Sequence, residues 1–233
     1  MLPKAYPDLS SGGSRGMFII VAGNIGSGKT TLTKKLSERL GWRPHFESVQ
    51  NNPYLKDFYE DMERWSFPLQ IYFLTHRFNI HRSIENSNFT DIQDRSIYED
   101  AHIFARALFE QKYLSPRDYE NYIGLYESMI QFLYTPDLMI GLRRSIPKLL
   151  DRIKSRGRNY EKSISVDYLT RLNSYYDDWF EKYSFGKSLI IDTDEFDFLE
   201  NEDDFDFLVQ KIYDSIDQKD LFFPKAENST HLS

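Results

Sequence analysis

The chain has no cysteine. Disulfides and thiolate metal sites are therefore excluded. Its five histidines, His45, His76, His81, His102 and His231, follow no metal-ligand spacing. No role is assigned to His102. No apolar run approaches the length of a membrane-spanning helix. Residues 1–16 lack the apolar stretch of a signal peptide. They are rich in Pro, Ser and Gly and read as a flexible leader, of the kind an expression tag leaves behind. An excess of positive charge is also missing. Lys and Arg number 29 against 36 Asp and Glu, a formal net charge of -7. That argues against a general binder of nucleic acid polymers. Any basic cluster should be local and aimed at phosphates. The expectation is a soluble cytoplasmic protein with neither a membrane nor a nucleic acid as partner. What is present is apolar material: 40% hydrophobic and 16% aromatic residues, enough for a real core. The length suits one sizeable domain.

The most informative stretch runs from Met17 to Leu32. The apolar residues Phe18 to Ala22 read as a buried strand. Gly23-Asn24-Ile25-Gly26-Ser27-Gly28-Lys29-Thr30-Thr31 follows, then a helical pattern at Leu32, Leu36 and Leu40. This is G-x-x-x-x-G-K-T in its required context of strand, loop and helix, a phosphate-binding P-loop. The glycines let backbone N–H groups turn toward phosphate oxygens, and the helix N-terminus adds positive charge. Lys29 supplies a cation for the outer phosphates, and the Thr30 hydroxyl can ligate Mg²⁺. The competing interpretation is a glycine-rich turn that matches by chance.

Downstream, Gly41 stops the first helix. Arg43 to Phe46 forms a short second strand, with Glu47 at its tip, where ligands of α/β sheets gather. A solvated loop carboxylate is the plainer alternative for Glu47. Asn51-Asn52-Pro53 marks a turn, and an aromatic stretch follows. Ser66 and Pro68 read as the start of a helix carrying Gln70 to about Ile84. On it Gln70, Phe73 and Arg77 share a face. Polar groups on an apolar face need partners, which a heteroaromatic ligand could supply. Phe89 to Gln93 is a third strand ending in Asp94-Arg95-Ser96. Asp94 is either a metal-directed acid or a helix N-cap. The next helix carries Asp100, Phe104 and Leu108. Tyr119 to Tyr134 is an amphipathic helix, Leu138 to Leu142 a strand. Arg152 and Arg156 share the face of a helix from about Ile146. The run Arg152 to Arg158 is the densest basic cluster of the chain. It reads as a phosphate-closing lid with Gly157 as a flexible point, or else as a solvated helix end. A helix with Leu169, Leu172, Tyr176, Trp179 and Phe180, a last strand from Ser188 to Ile191, an acidic loop from Asp194 to Asp206 and a helix from Phe207 to Ile216 complete the pattern. The chain beyond Lys225 reads as a disordered tail. The alternation of strand and helix predicts α/β architecture: a three-layer P-loop NTPase-type fold, its parallel sheet flanked by helices, with an arginine-bearing lid.

Three further segments follow the P-loop in order: Tyr-Glu-Asp-Met-Glu-Arg-Trp-Ser-Phe-Pro-Leu-Gln from Tyr59 to Gln70, Asp94-Arg95-Ser96-Ile-Tyr-Glu-Asp100, and Arg156-Gly-Arg-Asn-Tyr-Glu161. With them the chain resembles the deoxynucleoside kinase family, most of all its bacterial deoxyadenosine kinases, from Met17 to about Phe207. The resemblance implies one kinase domain over residues 17–224, with the tail at 225–233. It also implies transfer of phosphate from ATP, with Mg²⁺, to the 5′-hydroxyl of a purine deoxynucleoside, deoxyadenosine before deoxyguanosine or deoxycytidine. Glu47 matches the family's general base. Arg95 would neutralise charge at the reacting hydroxyl, and Lys29 at the outer phosphates. Thr30 and Asp94 would position the metal. Arg152 and Arg156 match the lid arginines, and Arg158 joins them or stays on the acceptor side.

The same matching gives an acceptor pocket. Gln70 would pair with the base edge, Phe104 would stack on the base, and Tyr59 with Glu161 would grip the 3′-hydroxyl. Arg77 and Asp100 match a pair found in members that take purines or deoxycytidine. Members that favour thymidine carry smaller or apolar residues there. A purely structural ion pair is the alternative. Two departures stand out. Ser48 and Asn51-Asn52-Pro53 replace the proline and tryptophan that follow the catalytic Glu in animal members. Asp94 is a glutamate in several relatives. The resemblance further implies a homodimer joined through long helices, with faces at Phe104 to Phe109 and Tyr122 to Phe132. Two other functions remain open at this stage: a nucleoside monophosphate kinase, and a non-catalytic nucleotide-binding module.

Overall fold

The computed structural model describes residues 16–46, 52–85, 87–158 and 164–217. Glu47, Glu161 and the tail lie outside them, as does nearly all of the leader. Among the described residues, five strands form one parallel sheet in the order β2-β3-β1-β4-β5. The central strand β1 (Phe18–Gly23) is buried along its whole length. It pairs with β3 (Asp91–Asp94) and β4 (Leu138–Arg143), and β2 (Arg43–His45) and β5 (Lys187–Asp192) lie outermost. A strand covered on both faces needs no polar alternation, which is why β1 reads as an unbroken apolar run.

Successive β1 side chains enter opposite cores. Ile19 and Val21 pack with Leu32 and Leu36 of α1 (Lys29–Leu40) and with Phe205, Val209 and Ile212 of α9 (Glu202–Asp217). Phe18, Ile20 and Ala22 face the larger core, made with α3 (Met62–Ile84), α6 (Pro116–Ile130) and α8 (Val166–Lys182). The expected three layers are therefore present. The shorter α2 (Leu55–Glu60) precedes α3, and α7 (Ile146–Arg156) leads from β4 toward α8.

Several boundaries differ from the sequence reading. α3 begins at Met62, not near Pro68. Asp61 caps it by accepting from the Arg64 amide at 3.1 Å. Pro68 sits inside, where it can donate no bond to the preceding turn. Buried Leu69, Leu74 and Ile84 continue the helix past it, so packing outweighs the lost bond. α9 begins at Glu202, inside the stretch expected to be acidic loop. The Asn201 side chain accepts from the Asp203 amide at 2.9 Å, and three acids in the first turn complement the helix N-terminus. β2 stops at His45 and β3 starts at Asp91, each shorter than expected. α6 starts earlier, at Pro116, capped by the Ser115 side chain, and ends at Ile130. The helix after Ser96 is not a simple α-helix. α4 (Ile97–Glu99) gives way to a π-helical segment, Asp100–Ala105, before α5 (Arg106–Glu110).

Candidate active site

After β1 the backbone passes through Gly26 at φ 84° and Gly28 at φ 101°. Those left-handed values are open to glycine and strained for other residues. A Cβ on Gly26 would lie 2.9 Å from the Leu149 carbonyl oxygen, so the loop presses directly on α7. Gly28 caps α1 with no side-chain bond, and the first turn carries no acid. The first amides of α1 are thus left for an anion. The buried Lys29 donates from Nζ to the carbonyls of Gly23 and Asn24 at 2.7 and 2.8 Å. Asn24 in turn ties the loop to α8, donating to the Leu169 carbonyl at 3.0 Å and to Asn173 Oδ1 at 2.8 Å. Ser27 completes the turn, its amide donating to the Asn24 carbonyl.

The strand order sets β3 beside β1, and with it Asp94 beside the P-loop. Thr30 Oγ1 donates to Asp94 Oδ2 at 2.5 Å. A hydroxyl and a carboxylate in contact are a hard-oxygen pair suited to Mg²⁺ whose other ligands come from phosphates and water. Arg95 follows at φ 69°, an uncommon conformation for a non-glycine residue. Its amide donates to the Val21 carbonyl at 3.0 Å. Its guanidinium carbon lies 4.4 Å over the Phe104 ring, within cation–π range.

One cleft, about 910 Å³ with its open mouth included, joins these groups. Ile25, Gly26, Lys29 and Thr30 form one end, with Asp94 and Arg95. Tyr59, Gln70, Phe73, Arg77, Asp100 and Phe104 form the other, and Arg156 and Arg158 complete the wall. Gly23, Asn24, Ser27, Gly28 and Thr31 build the loop and helix start behind it. Gln70 is buried in this wall, and the shared face of Gln70, Phe73 and Arg77 holds. Arg77 Nε and Asp100 Oδ2 lie 2.5 Å apart, both side chains 2% exposed. Such a pair tolerates burial because each charge has its counterpart. Asp100 and Phe104 both reach the cleft from the π-helical segment, a geometry that recurs at functional sites.

Arg152 is absent from the cleft wall. It lies half-buried one turn before Arg156 on α7. His102 faces away, toward a separate depression that it lines with Tyr126 and Phe185. Its Nε2 is 3.2 Å from the Tyr126 hydroxyl. Burial first, and then the charge of Arg106, hold its pKa below the ordinary 6.5, so it is a neutral structural residue. The Phe104–Phe109 face expected at a dimer contact is used within the chain. Phe104 lines the cleft, Leu108 is fully buried, and Phe109 stacks on Tyr119 at 4.3 Å.

Two residues escaped the sequence reading. Tyr168 of α8 lines the cleft, and burial raises its phenol pKa, so it stays a neutral hydroxyl. No local pattern marks it. Glu99 is completely buried between the P-loop and the Asp94–Ser96 turn. Its spacing from Ser96, S-x-x-E, is a capping-box signature that was visible in the sequence.

The model of the deoxynucleoside kinase family matches residues 19–217. The deoxyadenosine/deoxycytidine kinase of Bacillus subtilis is 40% identical over 196 residues, covering 83% of this chain and 90% of that one. A deoxyguanosine kinase of Lactobacillus acidophilus is 38% identical over 209 residues, covering 85% and 90%. Among solved structures, deoxyadenosine kinase from M. mycoides with bound dATP superposes with a TM-score of 0.75 at 29% identity, over 84% of this chain and 100% of that one.

Proposed function

The chain belongs to the deoxynucleoside kinase family, and on that premise we propose that it transfers the γ-phosphoryl group of ATP to the 5′-hydroxyl of a purine deoxynucleoside, deoxyadenosine above the others. The observation that carries this reading is the single cleft. Its P-loop end suits a triphosphate, and its other end is closed by Gln70 and the buried Arg77–Asp100 pair. Gln70 offers a donor and an acceptor to a base edge. Phe104 stacks on the base, its ring already carrying the Arg95 guanidinium. Tyr59, with Glu161, holds the sugar 3′-hydroxyl.

Glu47, two positions beyond β2, takes the proton of the attacking 5′-hydroxyl. Arg95 neutralises charge as the phosphoryl group moves, and Lys29 holds the outer phosphates. Arg156 and Arg158 enclose the transferred group, with Arg152 one turn earlier on α7. Thr30 and Asp94 would hold Mg²⁺, which would supply neutralisation of the phosphate oxygens. We carry three broader expectations into the same proposal. The kinase domain spans residues 17–224. The protein is cytoplasmic, and no helix among the described residues is long and apolar enough to cross a membrane. It forms a homodimer, for which the exposed Leu125 and Phe132 near α6 are support. The double name of the Bacillus relative favours deoxycytidine as a second acceptor.

Steady-state assays with ATP and Mg²⁺ across the four deoxynucleosides and dAMP test the proposal. The expected result is the highest kcat/KM for deoxyadenosine, thymidine lower by about 100-fold or more because the buried polar pair rejects it, and no turnover of dAMP. A preference for thymidine would overturn the role of Arg77 and Asp100. A preference for dAMP would turn the assignment toward a monophosphate kinase.

A further inference from the structure

Glu99 has no place in the chemistry above, yet it is 0% exposed. A buried carboxylate is costly unless its oxygens are satisfied. Here four donors satisfy them. Oε2 accepts from the Ser96 amide at 2.9 Å and the Ser96 hydroxyl at 3.2 Å. Oε1 accepts from the Tyr176 hydroxyl at 2.8 Å and from the amide of Gly23 at 3.3 Å. The Ser96 contacts alone would be an ordinary helix cap. The contact to Gly23, 76 positions away, serves no cap. It ties the first glycine of the phosphate loop to the turn that carries Asp94 and Arg95.

That turn needs holding. Arg95 sits at φ 69°, a sparsely populated conformation for a residue with a side chain, which persists only where the surroundings over-determine it. Two bonds bracket it: its own amide to Val21, and the following amide, Ser96, to Glu99. The third partner, Tyr176 of α8, turns its ring edge to Phe104 at 6.5 Å, the ring on which Arg95 rests. One carboxylate thus meets the phosphate loop, the Asp94–Ser96 turn and the support of the aromatic wall.

We propose that Glu99 is a positioning residue for phosphoryl transfer, locking the P-loop entry to the Asp94–Arg95–Ser96 turn so that Arg95 and Asp94 are aimed at the group being transferred. This rests on the kinase reading above. Glu99→Gln is the direct test. The amide nitrogen cannot accept, so one of the two backbone N–H groups, Gly23 or Ser96, must lose its bond. Misaiming a catalytic group by about 1 Å can cost about 100-fold in rate. The expected result is a kcat lower by about 10- to 100-fold, with KM for ATP and for deoxyadenosine within about threefold of the parent. Direct titration with ATP should remain near normal. Tyr176→Phe removes one donor and leaves both backbone anchors. It should show the same signature, a smaller fall in kcat at constant KM. Should Glu99→Gln fail to fold, Tyr176→Phe decides: kcat unchanged in that variant overturns the proposal. So does a Glu99→Gln enzyme with normal kcat, or one whose KM rises while kcat holds. A parent protein with no turnover on any nucleoside would sink both this and the kinase reading, whereas an active parent with an indifferent Glu99→Gln sinks this one alone.

Discussion

Arg77 and Asp100 place a stability cost on the same two side chains to which the proposed function gives base choice. Both are buried in the cleft wall, and each is the other's counter-charge. Removing one partner leaves an uncompensated buried charge, which costs about 3–5 kcal/mol. Replacing both by apolar groups removes the charges together and is often close to neutral. Asp100→Ala should therefore lower unfolding free energy in urea by about 3–5 kcal/mol, and Arg77→Met with Asp100→Ala should recover much of it. The double variant should also lose discrimination against thymidine in the substrate panel. Equal stability of single and double variants would show that the pair is not energetically coupled. In the sequence Arg77 was visible as a polar position on an apolar face, and Asp100 only as a position on the helix after Ser96. Their pairing was inferred through resemblance, since nothing local links positions in two separate helical segments.

At the scale of elements, the contact between the P-loop and α7 governs how the arginine-bearing helix meets the phosphate cradle. Gly26 is its pivot: a side chain there would meet both the Leu149 carbonyl and Ile153. The left-handed backbone adds about 1–2 kcal/mol for any residue with a Cβ. Gly26→Ala should keep a cooperative melt, because the site lies at the edge of the core. It should lower kcat/KM for ATP by about tenfold or more, as the loop and α7 are forced apart. A variant with normal ATP kinetics would show that the close approach is dispensable. The π-helical segment belongs to this scale as well. Its residues Asp100–Ala105 have helical spacing in the sequence, and no local signal separates a π turn from an α turn. Packing of Asp100 and Phe104 toward the cleft, with Ala101, Ile103 and Ala105 buried in the core, accompanies the wider turn.

For the whole molecule, the acid side of the stability curve is the accessible test. Asp91 is fully buried at the junction of β2 and β3. Burial alone would raise its pKa, but hydrogen bonds from His45 and Arg43 outweigh it and hold the carboxyl below its ordinary 3.8. A depressed native pKa means that the ionised form is favoured by folding. Its contribution is complete above the unfolded-state value and fades as pH falls through the native one. Tm should thus fall on acidification from about pH 5 to about pH 3, and Asp91→Asn should lose less over that interval. At pH 7 the same variant should be less stable by about 1–3 kcal/mol, because a neutral amide oxygen accepts more weakly from Arg43 and His45 than the carboxylate does. Identical acid profiles for the two proteins would remove Asp91 from this account.

The P-loop was legible from the sequence alone because its information is local: a buried strand, glycines at the turning points and a helix start all fall within one short run. The parallel α/β class was legible for the same reason, from alternating strand and helix patterns. The tertiary structure alone decided which distant segments meet. The order β2-β3-β1-β4-β5 sets Asp94 against Thr30 across 64 positions and Glu99 against Gly23 across 76. It also turns His102 away from the cleft. Those contacts depend on both faces of one sheet being packed at once, and no short stretch of chain carries that information.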